Sequence, residues 1–92
     1  MNGESVLKLI GKLVKETKII KEAFVEQKDE SVSFHDQLEE CLVNLCKELE
    51  ISVPIWLKKN TTEFGAFHKT FFSNEQFIDK VKFDRFEIRI EQ

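Results

Sequence analysis

Three glycines in 92 residues leave little backbone to cradle a ligand. The chain has no G-x-G-x-x-G and no phosphate loop, so the glycine-rich turns that hold nucleotides on backbone N–H groups are excluded. It has no G-x-S-x-G elbow to present a nucleophilic serine. The two cysteines, Cys41 and Cys46, do not form the C-x-x-C pair that zinc ligands usually take. Five positions along one helical stretch set them about 140° apart around the axis, too divergent to bond to each other. A secreted domain this small would usually carry several bridges. No run approaches the roughly 18 apolar residues of a membrane span. Residues 1–11 lack the long uncharged core and small-residue cleavage site of a signal peptide. The expectation is a reduced, cytosolic (cytoplasmic) protein with no cofactor and no membrane association.

What is present is a globular balance. The chain is 41% hydrophobic and 34% charged, with a net charge of -3. Disorder would need fewer apolar groups. Residues 1–92 make one domain. A chain of this length buries only about 60–65% of its unfolded surface, so its core is small.

The strongest pattern lies in residues 33–51. Phe34, Leu38, Cys41, Leu42, Leu45 and Leu49 recur at spacings of three and four, one stripe of an α-helix. Asp36, Glu40, Asn44 and Lys47 occupy the other face. Ser33 caps this helix, with Asp36 three positions on. The helix must end by Val53, because Pro54 disfavours a helical residue before it. Five acids (Asp36, Glu39, Glu40, Glu48, Glu50) stand against one base, Lys47, which reads as a solvated face.

Residues 4–27 read two ways. As strands, Val6–Val14 and Lys18–Glu26 alternate, with Leu7, Leu9 and Leu13 opposite Lys8 and Lys12. As a helix, Val6, Ile10, Leu13, Thr17, Ile20 and Phe24 make a stripe. Enrichment in Val, Ile and Phe, together with Gly11, favours a β-hairpin turning at residues 15–18. That turn lacks Asn-Gly chemistry. Residues 83–91, FDRFEIRIE, alternate cleanly as a strand, with Phe86, Ile88 and Ile90 on one face and Phe83, Arg85, Glu87 and Arg89 on the other. Pairing this strand with the hairpin gives a three-stranded sheet laid on the central helix. Between them, Trp56 folds over the helix end and Lys58, Lys59 and Asn60 turn. A short helix capped by Thr61 or Thr62 places Phe64, Phe67 and Phe71 on one face, weakened by Gly65. A single turn over residues 74–79, capped by Ser73 with Gln76, packs Phe77 and Ile78. The expected fold is a small two-layer α+β domain: N-terminal β-hairpin, central amphipathic helix, short helix and C-terminal strand (ββααβ). The alternative is a mostly α chain.

Chemistry finds little purchase. The soft ligands are Cys41, Cys46, His35 and His68. His35 and Cys46 face similar directions but stand about 16 Å apart by helix rise, so they cannot share an ion. Cys41 with His68 is the only nucleophile–base pair to be drawn, and Cys41 sits mid-helix, where nothing stabilises a thiolate. No catalytic, cofactor-binding or metal residue is assigned, and a small enzyme using His68 is the remotest alternative. A single-stranded nucleic-acid binder would use Lys58, Lys59, Lys69, Lys80 and Lys82 among the aromatics of residues 56–86. Residues 52–82 carry a net charge of only +2, which argues against that partner. The leading expectation is a non-enzymatic protein-interaction or homo-oligomerising domain, a homodimer included. Ten aromatics are more than one helix covers, and the surplus, Trp56, Phe71, Phe72 and Phe83, would form an exposed patch.

The segments around W-L-K-K-N (56–60), E-F-G-A-F (63–67) and F-D-R-F-E-I (83–88) resemble a small bacterial family of uncharacterised proteins. The resemblance covers about two-thirds of the chain, from the central helix onward. It implies a compact cytosolic domain and carries no activity, ligand or partner with it.

Overall fold

The computed structural model describes residues 7–28 and 31–91. Two long strands, β1 (Leu7–Lys15) and β2 (Lys18–Gln27), form the expected hairpin. Val6, expected to open it, lies outside the described residues. Helix α1 (Phe34–Leu49) follows, then α2 (Lys58–Phe67), β3 (Lys69–Ser73), one 3₁₀ turn (Asn74–Gln76) and β4 (Arg85–Glu91). The four strands form one antiparallel sheet in the order β2-β1-β4-β3. Helix α1 packs against the β1–β2 half of the sheet's apolar side, and α2 packs against β3, adding Phe64 to the same core. The fold is α+β, as expected, with one strand more than the sequence pattern implied.

That strand is β3. His68 takes a left-handed conformation (φ 58°), its N–H returns to the Phe64 carbonyl, and α2 ends there. The next five residues then alternate between exposed and buried. Phe71 therefore leaves the helical face it was expected to share with Phe64 and Phe67. The i, i+4 spacing is a coincidence, overridden by the free edge that β4 offers. Helix α2 also begins before the Thr61/Thr62 cap. Asn60 in its first turn accepts the Leu57 N–H at 2.9 Å, so Lys58 and Lys59 are helical and not a turn. Phe83 is not on the outer face of β4. It lies before the strand, buried, with its ring edge-on to Phe77 at 5.2 Å. Ile78, expected to pack, is 88% exposed.

Helix α1 has the expected N-cap, with Ser33 Oγ accepting the Asp36 N–H at 3.2 Å. Its C-terminus is a Schellman motif, in which Ile51 N–H reaches Cys46 O and left-handed Glu50 reaches Lys47 O. Lys21 crosses from β2 to meet both the Leu49 carbonyl and the Glu50 carboxylate at 3.0 Å. A cation there suits the negative end of the helix dipole, and it holds the Glu50 carboxyl below its ordinary pKa.

Two backbone positions set the geometry of this half. At Gly11 the helix sits so close that a Cβ would lie 2.7 Å from Leu45 Cδ2 and 2.8 Å from Phe86 Cε1. At the hairpin tip both turn residues, Glu16 (φ 51°) and Thr17 (φ 72°), are left-handed, the signature of a type I′ turn built without Asn or Gly. Asp84 tethers it, accepting the Glu16 N–H at 2.7 Å.

Two outcomes follow for stability in urea. Thr17→Gly relieves a β-branched residue held at positive φ and raises the unfolding free energy by about 1 kcal/mol. Gly11→Ala forces Leu45 and Phe86 aside and lowers it by roughly 1–3 kcal/mol.

Candidate functional site

A surface groove of about 700 Å³ lies between α1 and α2. Phe34, Leu38 and Leu42, at i, i+4 and i+8, form a ridge along one wall. The other wall is Val53, Pro54 and Trp56 of the connection, with Phe64 and Gly65 of α2. Phe34 is 52% exposed and Val53 45%. Both are apolar groups that the fold leaves in water. The polar residues lining the groove are His35, Glu39 and Thr61. Trp56 donates its indole N–H to Thr61 Oγ1 at 2.8 Å, which fixes the ring while its body packs edge-on to Phe64 and tilted against Phe72.

A buried polar knot holds the second wall in place. Asn60 is fully buried, and Thr70 and Gln76 nearly so. The Asn60 amide donates to Thr70 Oγ1 (2.8 Å) and to the Phe71 carbonyl (2.9 Å). Its oxygen accepts from Gln76 Nε2 (3.0 Å) as well as from Leu57 N–H. Gln76 also donates to the Ile55 carbonyl (2.9 Å), and Thr70 donates to Glu63 (2.6 Å). The connection, α2, β3 and the 3₁₀ turn are thereby tied at one point. The same amides cover the outer edge of β3, because the Phe71 carbonyl and the Ser73 N–H are both taken by side chains. The other sheet edge, β2, carries a register shift opposite Leu13/Val14 and the charges of Lys18 and Lys21. Bulges and edge lysines discourage strand pairing.

The sheet face away from α1 is laced with charge. Lys8 meets Glu91 at 3.6 Å, Lys12 meets Glu22 at 4.0 Å, Arg89 meets Glu91 at 3.6 Å, and Arg85 pairs with Glu87. Lysine ammonium groups lie over two of its rings, Lys8 Nζ 4.3 Å from the centroid of Phe24 and Lys59 Nζ 4.2 Å from that of Phe71. The smaller cavity, about 270 Å³, opens on this face, where Lys12, Lys69 and Arg89 surround Ile10, Phe67 and Phe71.

The structure divides the four residues expected to form an apolar patch. Trp56 lines the groove and Phe71 is 38% exposed on the opposite face. Phe72 and Phe83 are core residues and cannot contribute to a surface. Of the five lysines, Lys59 and Lys69 flank Phe71. Lys58 opens α2, and Lys80 and Lys82 are exposed in the loop before β4. His68 is exposed at the end of α2 and lines neither cavity. Both thiols are buried, and burial pushes Cys46 up to about 12 and Cys41 up as well, with Glu40 adding to the latter. No group of three or more His, Cys, Asp or Glu that could hold a metal occurs among the described residues. No described helix is long and apolar enough to cross a membrane. The groove itself was not visible in the sequence, since its lining comes from three separate segments. The signal that existed was Phe34 at the very start of the helical stripe, beyond the reach of the sheet.

No protein family, no curated protein and no solved structure matches this chain.

Two measurements check the site. Asn60→Ala strands Gln76, Leu57 and Phe71 polar groups together, and costs about 3 kcal/mol or more in urea unfolding. Cys46 ionises near 9.0 when unfolded but only near about 12 when folded. The unfolded chain therefore gains stability first as pH rises. Unfolding free energy is level in this respect below pH 9 and falls between 9 and about 12. Cys46→Ala shows the shallower alkaline fall.

Proposed function

We propose that the protein is a non-enzymatic protein-interaction domain that binds through the groove between α1 and α2. The observation that carries this is the groove's apolar lining, with Phe34 and Val53 left in water on a rigid frame. Exposed apolar clefts of this kind mark protein-binding sites. The buried, protonated thiols and the exposed His68 support binding over covalent catalysis. Two unpaired thiols also support residence in the reducing cytoplasm.

Affinity capture and light scattering over a range of concentrations test the reading together. Leu38→Glu places a carboxylate in the groove. It abolishes whichever association the native chain shows, with a partner or with itself, while far-UV circular dichroism stays unchanged. An association indifferent to Leu38→Glu removes the groove from consideration.

A single-stranded nucleic acid is the second reading, favoured by one observation: an exposed Phe67 ring beside Lys69 and Arg89 at the smaller cavity. Fluorescence anisotropy with an oligonucleotide then shows affinity that falls with salt and is lost in Lys69→Glu.

A further inference from the structure

The charges on the outer sheet face follow a regular pattern, and one place on it sets like charges together. Lys8 stands opposite Glu26 on β2 and Glu91 on β4. Lys12 stands opposite Glu22 and Glu87. Each of these lysines has a carboxylate on both sides. Arg89 has Ile10 on one side and Lys69 on the other. Directly opposed like charges weaken a strand pair. Lys69 has no ion pair among the described residues, and Arg89 shares the Glu91 carboxylate with Lys8. Lys15 and Lys18 also face each other, but at the open tip of the hairpin, where water and salt screen them.

Lys69 and Arg89 line the cavity of about 270 Å³. The Phe67 ring stands beside them, 67% exposed, with Phe71 and Ile10 completing an apolar surface. Two carboxylates also line the cavity, and both are engaged. Glu63 accepts the Thr70 hydroxyl at 2.6 Å, while Glu87 pairs with Arg85 and lies opposite Lys12. The uncompensated charge is therefore positive and sits among rings. The volume falls just short of the roughly 300–1,000 Å³ of drug-sized sites, which suits a single ring. A single negative charge suits it too, because a dianion would be repelled by Glu63 and Glu87. We infer that this cavity binds a small aromatic monocarboxylate, its carboxylate between Lys69 and Arg89 and its ring against Phe67 and Phe71. Arginine takes a carboxylate in a planar, two-pronged fork. The site is separate from the groove between α1 and α2, and it assigns to one ring the residues that a nucleic-acid strand would otherwise stack on.

Benzoate is the probe, followed by amide NMR of the isotope-labelled full chain at low salt. Saturable shifts centre on Lys69, Phe71, Glu87 and Arg89, with a Kd of about 1 mM or below. Benzyl alcohol, the same ring without the charge, binds about tenfold more weakly. Lys69→Gln, at an exposed position, raises the Tm by about 1–5 °C and weakens benzoate about tenfold. A Tm lowered by Lys69→Gln gives the lysine a structural role at the end of α2 and overturns the uncompensated pair. Benzoate held equally by the native chain and Lys69→Gln overturns the placement of the carboxylate. Equal binding of benzyl alcohol overturns the need for charge, and tighter binding of phenyl phosphate overturns the single one. Shifts at these residues with an oligonucleotide and none with benzoate make the surface a nucleic-acid platform and overturn the small ligand.

Discussion

The fold depends on how closely α1 lies on β1. Leu45 rests where a side chain of Gly11 would be, and Phe86 from β4 reaches the same spot. One missing methyl group thus brings a helix and two strands to a common point. From there the stripe Cys41, Leu42, Leu45, Cys46 and Leu49 spreads over Leu7, Leu9 and Leu13. Lys21 then fastens the far end of the helix to the outer strand. The hydrophobic effect supplies the drive, but it has no direction. Contact this tight selects one register for the helix on the sheet.

The two halves of the core are built differently. Under α1 the packing is aliphatic and sulfur-rich. Beyond β4 it is aromatic, a chain of rings running from Phe64 through Trp56, Phe72, Phe86 and Phe77 to Phe83 at centroid spacings of 5.2–6.4 Å. Helix α2 is short and only Phe64 and Asn60 are buried from it. It is held less by apolar burial than by the Asn60–Gln76–Thr70 knot. A helix fixed through its polar first turn can leave its remaining length free of the core. The groove lies along that free length, bounded by two elements that do not close on each other.

The hairpin, α1 and β4 were legible because each is longer than one period of its own pattern. Leu7, Leu9 and Leu13 repeat every second residue, and the α1 stripe runs for four turns. β3 was not, since five residues of Lys-Thr-Phe-Phe-Ser fit a helix as well as a strand until β4 is in place. Phe72 and Phe83 looked surplus because a three-stranded sheet had no room for them. The fourth strand buries the first, and the loop before β4 buries the second against Phe77. Trp56 was expected over the helix end, but it stands across the groove from Phe34, Leu38 and Leu42 and packs on Phe64 and Phe72, partners far apart in sequence that no spacing rule joins. Asn60 read as a turn residue because its role is to bond backbone at three distant places, which periodicity does not record.

The strand order β2-β1-β4-β3 puts the last strand of the sequence at the interior of the sheet. β3 has no neighbour other than β4, and β4 pairs with β1 across more than sixty intervening positions. The hairpin and α1 are local and can assemble early. The aromatic half has nothing to lean on until the chain returns, and closing so long a loop is slow for a domain of this size. During synthesis, the rings of residues 56–77 therefore wait in water for Phe86 and Ile88 to emerge.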